Sequence, residues 1–568
     1  MPKTHEAGQN PLSFDLTQQP WIGVLRCDGT QDELSLREVF AQAEDVRRLT
    51  GDLPTQEFAL LRLLLAITHD ALDGPTDIEH WARLWGDPGC FAPIAGYLDD
   101  HRSRFDLFDA RTPFFQTAGL RTEKNEVASL NRIVADVPNG EPFFSARLPA
   151  VGRLGFAEAA RWVVHAHAYD TSGIKSGMVG DQRAKGGKVY PLGVGWAGNL
   201  GGVFAEGRNL RETLLLNLVA ADTVDFDAKG RQDLPAWRRE PSPQGVERRP
   251  AGLRDLYTWQ SRRLRLHADA DGVTGVVLGY GDPLTARNMH TREPMTAWRR
   301  SPAQEKKHGE PLVYLPREHA PERSAWRGLA SLVADREQNQ PDGSGPPSHL
   351  RPGILDWTAR LVTRRKLTRG YLIRARIIAT VYGTQQSVVD EVVDDHLTMD
   401  VILLHEQDRD YATQAIDAVK DAELAVNTLG DLATDLERAA GSENESPRLT
   451  ARDRAFAELE GPYRAWLTGL GRAEDPFEQR DVWKAQVHTI VTRLGRQMVA
   501  DAGDAAWQGR LTPSKQGSVW LNSALADRWF QVRLRKNLGQ PSSPGQPSLP
   551  GQPSGTDSTA EPSLKVHA

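Results

Sequence analysis

The chain has 568 residues, of which 39% are hydrophobic and 25% charged, and its formal net charge is −6. This composition is typical of a soluble globular protein and excludes a fibrous or wholly disordered chain, while the length allows two or more domains. The only two cysteines, Cys27 and Cys90, exclude a disulfide framework and any zinc site that needs several thiolates.

The N-terminal part, residues 1–394, mixes strand-like and helical segments. Its first ten residues lack the apolar core of a signal peptide, and no apolar run approaches the 18 or so residues that span a bilayer, so we expect a cytoplasmic protein with no membrane partner. Strand-like runs such as WIGVLR, KVYPLGV and DGVTGVVLG lie between helical runs and Gly- and Pro-rich loops. The pattern predicts a large, irregular α+β domain rather than regular βαβ alternation.

The C-terminal part, residues 395–538, is dominated by helical periodicity. Helical patterns cover 396–440, 451–470, 476–502 and 518–538, which predicts a four-helix bundle, or five helices if the first pattern breaks near Gly430. Residues 539–568 repeat the motif PGQPS and are too rich in Pro, Gly and Ser to bury a core, so we predict a disordered tail.

A Gly-rich basic segment, Asp170–Gly202, contains ten glycines and four lysines or arginines. So much bare backbone indicates special backbone angles or a close approach by another molecule. Its GVGWAG motif, Gly193 to Gly198, matches the dinucleotide fingerprint GxGxxG, but no helix follows directly to hold a pyrophosphate. Just upstream, His165 and His167 fall on a predicted helix, where they point about 200° apart and cannot chelate one metal together. A nucleotide- or metal-dependent enzyme remains the alternative that these residues leave open.

Charge is strongly segregated in one stretch. Residues 360–376 carry seven positive charges and no acid, and residues 390–400 carry five acids and no lysine or arginine. This asymmetry indicates either a basic binding face or a solvated helix face with ion-pair partners elsewhere.

An ordered set of motifs resembles a known family. PWIGVLRCDG, FDLFDARTPFFQTAGL, the Gly-rich segment before RNLRETLLLNLV, GLRDLYTWQSRRLRL and VYGTQQSVVDE occur in that order ahead of the helical region. They resemble the CasA family, the large subunits of the type I-E CRISPR surveillance complex Cascade, over nearly the whole chain except the tail. The resemblance implies a non-catalytic protein that recognises the protospacer-adjacent motif (PAM) in duplex DNA, helps guide RNA to pair with its target, and recruits a helicase–nuclease. A general nucleic-acid-binding protein without motif preference is a further alternative.

The resemblance also implies which residues contact nucleic acid. A glycine loop would read the PAM through the minor groove, helped by basic side chains, and a glutamine wedge would separate the first target base pair. An aromatic side chain would stack on the 5′ handle of the guide RNA, and basic residues near the wedge would follow the DNA backbone. No cofactor or metal is expected, since this chain lacks the cysteine cluster that some relatives carry. The PAM-reading residues would be Gly173, Lys175, Gly177, Gly180, Arg287 and Arg292; the wedge Gln385 and Gln386; the handle contact Phe143 or Phe144; and the backbone contacts Arg364, Arg365, Lys366 and Arg369.

Overall fold

Helices and strands alternate irregularly along the chain in a computed structural model. It describes residues 12–135, 151–226, 232–240, 242, 244–333, 345–405, 408–514 and 517–539. The α-helices are α1 Leu36–Ala41, α2 Pro54–Ala71, α3 Ile78–Gly86, α4 Ala92–Asp100, α5 Phe156–Tyr169, α6 Leu210–Leu216, α7 Leu253–Tyr257, α8 Pro302–His308, α9 Ala330–Val333, α10 Gly353–Thr363, α11 Arg409–Ala440, α12 Ser446–Leu470, α13 Pro476–Ala500, α14 Asp504–Gln508 and α15 Ser523–Leu538. The strands are β1 Ile22–Arg26, β2 Gln31–Leu34, β3 Val46–Leu49, β4 Lys175–Ser176, β5 Lys188–Val189, β6 Gly202–Glu206, β7 Arg262–Asp269, β8 Gly272–Tyr280, β9 Trp298–Arg300, β10 Tyr314–Pro316, β11 His349–Leu350, β12 Leu372–Tyr382, β13 Val389–Asp400, β14 Arg510–Ser514 and β15 Gly517–Leu521. The predicted α+β fold with long C-terminal helices is confirmed.

The chain forms two compact units. Residues 1–420 with 457–480 make the first unit, and residues 421–456 with 481–568 make the second. The domain boundaries expected from the sequence, after residues 394 and 538, stay predictions, and the predicted disordered tail lies almost wholly outside the described residues.

Helix α2 is the centre of the first unit. It begins with Pro54, whose fixed φ suits the first helical turn, and every residue from Thr55 to Asp70 is buried. It packs against α5 and α7. Its one arginine, Arg62, is neutralised by Glu293 at 2.9–3.0 Å, because a buried charge needs a close partner.

Two antiparallel hairpins, β7–β8 and β12–β13, support the Gly-rich segment. Strands β7 and β8 pair along their whole length. Strands β12 and β13 pair over eleven positions, and β12 also pairs with β6 to give the order β13–β12–β6. Strand β6 begins at Gly202, the last residue of the Gly-rich segment. The sheet therefore joins that segment to the β12–β13 hairpin.

Three predicted helix starts are wrong, among them that of α12, which begins at Ser446 rather than at residue 451. Residues 396–400 belong to β13, where Leu397 and Met399 face the core and pair with Ala375 and Ile373 of β12, so the helix begins only at Arg409. Alternation of buried residues with period two here overrides the helical pattern. Residues 518–521 likewise belong to β15. No break occurs at Gly430, since α11 runs through it.

In the second unit, segments of α11, α12, α13 and α15 pack together as helices. A Cβ added to Gly495 of α13 would lie 2.5 Å from the Phe530 ring of α15 and 3.3 Å from Leu432 of α11. Arg533 of α15 donates to Asp435 of α11 at 2.5 Å. Arg448 of α12 donates to Asp431 of α11 at 2.5 Å. These contacts join four helices in a core of the kind that the sequence pattern predicts.

Candidate nucleic-acid interface

The Gly-rich segment begins where α5 ends, and its first part folds back as a small hairpin. Lys175 and Ser176 of β4 pair with Val189 and Lys188 of β5. Gly177 donates to the Gly187 carbonyl at 2.8 Å, and an added Cβ there would lie 2.7 Å from the Ala184 Cβ. The two arms therefore approach more closely than any larger residue would permit.

A buried ionic cluster holds the base of this segment. The Arg262 guanidinium donates to the Asp170 carboxylate, and it also donates to the backbone carbonyls of Asp170 at 2.9 Å, Thr171 at 3.2 Å and Gly193 at 3.0 Å. The Lys175 amine lies 2.6 Å from the same Asp170 carboxylate. One arginine thus fixes the backbone at the start of the glycine-rich segment and again at Gly193.

Electrostatics favours the charged form of Asp170 inside this cluster. Burial raises the pKa of Asp170, but the attraction of Lys175 and Arg262 outweighs burial and holds that pKa below its ordinary value. Burial lowers the pKa of Lys175 to about 8, against the opposing attraction of Asp170. The Tyr280 ring covers both cations, with its centroid 4.9 Å from the Arg262 guanidinium and 5.4 Å from the Lys175 amine.

The glutamine turn lies at the tip of the β12–β13 hairpin. Gln385 and Gln386 are both exposed, and both have left-handed backbones, with φ of 55° and 56°. Gln386 donates its N–H to the Gly383 carbonyl at 2.9 Å, which closes the turn. Two successive non-glycine residues in this region store strain, and such strain concentrates at binding and catalytic sites.

The glycine loop and the glutamine turn are in direct contact. Ser172 donates its backbone N–H to the Gln386 carbonyl at 2.8 Å. Gly173 has a φ of +121°, an angle that L-residues rarely adopt, and an added Cβ would lie 3.9 Å from Ser387. The Tyr280 hydroxyl donates to the Gly173 carbonyl at 2.6 Å. Two motifs more than 200 residues apart in sequence therefore form one surface.

The structure places the predicted basic readers in different settings. The resemblance implied that Lys175 contacts DNA, but its amine is buried against Asp170 because that carboxylate needs a neutralising partner. Arg287 is half-buried 3.3 Å from Glu310, and Arg292 donates to the Asp225 carbonyl at 2.9 Å. These contacts do not join Arg287 or Arg292 to the glycine loop, and their contacts with DNA stay predictions.

The basic run of residues 360–376 divides into an exposed part and a buried part. Arg364 and Arg365 follow α10 and are exposed, while Lys366 pairs with Glu79 at 2.7 Å and Arg369 with Asp408 at 2.8 Å. In β12, by contrast, Arg376 is buried and pairs with Glu57 and Asp394. Of the four predicted backbone contacts, Arg364, Arg365 and Arg369 are thus exposed, and Lys366 is half-buried.

The residues behind the alternative of a nucleotide- or metal-dependent enzyme are engaged in packing and in contacts within the chain. A Cβ on Gly195 would lie 2.5 Å from the backbone at the end of α5, and one on Gly198 would lie 2.1 Å from the Tyr382 hydroxyl, so packing accounts for these glycines of the dinucleotide-like motif. His165 contacts the Thr55 hydroxyl at 2.9 Å, and His167 contacts the Phe115 carbonyl at 2.8 Å. Both are buried on α5, as the helical interpretation predicts.

Several functional residues are not apparent from their motifs alone. Arg262 and Tyr280, which hold the glycine loop, lie in β7 and β8. The alternation Arg262, Leu264, Leu266 in RRLRL places this arginine on the buried face of a strand and could have indicated its role. Phe143 and Phe144, the predicted handle contacts, lie outside the described residues.

Neither a membrane span nor a metal site is found in the part of the chain that the structure describes. None of the helices there is both long and apolar enough to cross a bilayer. Within the same residues, His, Cys, Asp and Glu side chains do not gather in threes as a metal would require.

Fold and site together define an α+β protein in which a glycine loop and an exposed glutamine turn are joined by a hydrogen bond. The family model of CRISPR-associated protein Cse1 matches residues 15–494. The chain is similar to Thermobifida fusca Cse1, with 58% identity, a TM-score of 0.85 and coverage of 93% of this chain and 98% of that one. It is 32% identical over 336 residues to the Thermus thermophilus protein CasA/Cse1, a match that spans 56% of this chain and 60% of that relative's length.

A more distant likeness concerns the fold alone. A chain of a structure described as a CRISPR RNA-guided surveillance complex has a TM-score of 0.67 at 18% identity, with coverage of 92% of this chain and 100% of that chain. The family match over most of the sequence settles the assignment. This chain belongs to the Cse1 family of CRISPR-associated proteins.

Proposed function

We propose that this chain is the non-catalytic large subunit of a type I-E CRISPR RNA-guided surveillance complex, Cascade, in the cytoplasm. There it recognises the PAM in duplex DNA through the minor groove and helps open the duplex for guide RNA. Membership of the Cse1 family supports the assembly, and the loop geometry supports the DNA-reading role. The division of labour fits RNA-guided effectors generally, in which base pairing reads the long sequence and protein reads a short motif.

One observation carries this proposal: the hydrogen bond from Ser172 to Gln386. It puts the glycine loop and the glutamine turn side by side. A loop without a side chain at Gly173 would fit a groove about 6 Å wide, and the exposed Gln386 at its flank would lie beside the next base pair. Reading and opening then take place at adjacent positions on one surface.

The wedge has the chemistry that duplex opening needs. Separating a base step costs a few kcal/mol, which is recovered when the guide pairs with the target. Gln386 is exposed on a backbone held by the β12–β13 ladder, and its amide can replace hydrogen bonds that the opened bases lose. Because the hairpin is rigid, the insertion itself orders little chain.

Other predicted contacts complete the proposed complex. Arg287 and Arg292 would help read the PAM, and the exposed Arg364 and Arg365, with Lys366 and Arg369, would follow the DNA backbone. Either Phe143 or Phe144 would stack on the 5′ handle of the guide RNA. Lys175, buried beneath the loop, would act by fixing Asp170 and the loop backbone. The remaining Cascade subunits and the CRISPR helicase–nuclease are the protein partners.

Replacing Gln386 by Ala tests the proposal in the assembled complex. We expect complex assembly to be unchanged and R-loop formation on PAM-bearing DNA to slow at least tenfold, since about 1.4 kcal/mol of lost opening energy is a tenfold effect. Permanganate reactivity of unpaired thymines measures the opening. Gln19→Ala, at another exposed glutamine, is the matched control. An unaltered opening rate in Gln386→Ala would remove this residue from the mechanism.

A further inference from the structure

An arginine-rich cavity lies behind the glycine loop. Its volume is about 210 Å³, and its walls come from the segment 112–117, the segment 236–240, the residues Ser242, Val246 and Arg248, and the start of β7. Phe115 supplies an aromatic wall and has a strained backbone, with φ of 54°. The cavity is lined by four arginines, Arg104, Arg239, Arg248 and Arg263.

Two aspartates neutralise only part of this positive charge. Asp255 accepts hydrogen bonds from Arg239 at 2.5 Å and from Arg248 at 2.6 Å. Asp282 accepts from Arg248 at 2.8 Å and from Arg263 at 2.6 Å. Three arginines thus share two carboxylates, which leaves one positive charge in excess.

Arg104 adds a fourth cation to the lining, and the carboxylates of Glu240 and Asp109 attract it. It donates to the backbone carbonyl oxygens of Arg239 at 2.8 Å and of Ala236 at 3.5 Å, and carbonyls carry no net charge. Glu240, also in the lining, is exposed. Burial lowers the pKa of Arg104, as expected for a cation that lacks full compensation.

The side chain of Arg239 has an unsatisfied donor. Its Nε is buried and makes no hydrogen bond to the described residues. Burial also lowers the pKa of Arg239 to about 10, although Asp255 opposes this shift. Buried donors in native proteins are usually paired, so this one is available to an acceptor that enters the cavity.

The cavity shares a wall with the glycine loop. Arg263 donates to the carbonyls of Ser242 at 2.6 Å and Gln244 at 3.1 Å. On the other side of this wall, a Cβ added to Gly180 would lie 3.1 Å from the Gln244 amide nitrogen. A ligand in the cavity therefore lies close to the outer end of the loop proposed to read the PAM.

We propose that this cavity binds a phosphate group. Arginine forks match phosphate oxygens in geometry and charge. The volume is below the ~300–1,000 Å³ that encloses whole drug-sized ligands, which favours a phosphate with part of its sugar. The phosphate belongs either to a nucleic-acid strand passing the glycine loop, which rests on the proposed function, or to a free phosphate or nucleotide.

Substitution of Arg104 tests the proposal in the full-length chain. Arg104→Gln removes a cation whose hydrogen bonds go to backbone carbonyls, and Arg104→Lys keeps the charge, so it supplies a second variant if the first does not fold. Arg496→Gln, an exposed arginine of α13, is the control. Each protein is titrated with inorganic phosphate at constant ionic strength by calorimetry, and with a duplex lacking any PAM over a range of salt concentrations.

The two titrations separate the sources of the phosphate. For a nucleic-acid phosphate, we expect duplex affinity to fall three- to tenfold in Arg104→Gln and the log–log salt slope to drop by about 0.9, the value of one phosphate contact. For a free phosphate, we expect saturable phosphate binding that weakens at least tenfold in this variant, with duplex affinity unchanged. If the Arg104 variants match Arg496→Gln in both titrations, the proposal is wrong. Because the duplex carries no PAM, this result would leave the proposed motif reading intact.

Discussion

Replacing Arg262 by Met is expected to destabilise the first unit by about 3 kcal/mol and to loosen the glycine loop. The side chain donates to the Asp170 carboxylate and to three backbone carbonyls. Removing one partner of a buried ion pair costs about 3–5 kcal/mol. Since Lys175 remains 2.6 Å from the same carboxylate and keeps it compensated, we take the lower end of that range.

Urea unfolding and amide hydrogen exchange measure the two effects. The urea midpoint gives the change in stability, and exchange over residues 171–180 reports local opening of the loop. Arg265→Met is the matched control, because Arg265 lies on the same strand but is half-exposed. A loss below about 1 kcal/mol, or exchange in the loop equal to that of the control, would refute the view that Arg262 anchors the glycine loop.

Three further predictions concern the loop, the buried histidines and the dinucleotide-like motif. Gly173→Ala should slow R-loop formation, because a φ of +121° costs an L-residue about 1–2 kcal/mol. The control Gly152→Ala, with open space around its new methyl group, should leave the rate unchanged. Equal rates for the two variants would contradict this prediction. Burial lowers the pKa of His165 to about 3 and that of His167 to about 4, from 6.5, so their contribution to stability is complete above pH 6.5 and is lost as pH falls toward 4. Urea titrations should show about 2 kcal/mol lost per histidine between pH 8 and pH 5, and a flat profile would show that the folded protein accepts these protons. Gly198→Ala should destabilise the folded chain by about 1–3 kcal/mol through its clash with Tyr382. Millimolar NAD⁺ or ATP should leave the melting temperature of the unaltered chain unchanged. A rise in that temperature would support a nucleotide site instead.

Local sequence patterns predicted correctly those helices in which the spacing of apolar residues agrees with the face that the fold buries. The helical stretch at 156–169 is confirmed as α5, which is mostly buried from Ala159 onward. The four C-terminal helices are confirmed, apart from three of their starts. Residues 396–400 were misassigned because pairing with β12, a partner far away in sequence, decides their conformation.

The candidate site was predictable only in pieces. Motif resemblance predicts that Gly173 and Gln386 have a shared role, but their contact depends on the order of strands β6, β12 and β13, which no local pattern contains. The burial of Lys175 depends likewise on Asp170 and Arg262, brought together by tertiary packing. Sequence can suggest which residues act, whereas three-dimensional pairing decides which charges remain free to reach a ligand.

Affinity purification of the tagged full-length chain from its own host tests the central claim most directly. Mass spectrometry and RNA sequencing would identify what copurifies with it. The account predicts a fixed set of other proteins and short RNAs that share one 5′ segment but differ downstream. Recovery of the chain alone, or with a small cofactor and no RNA, would contradict the account.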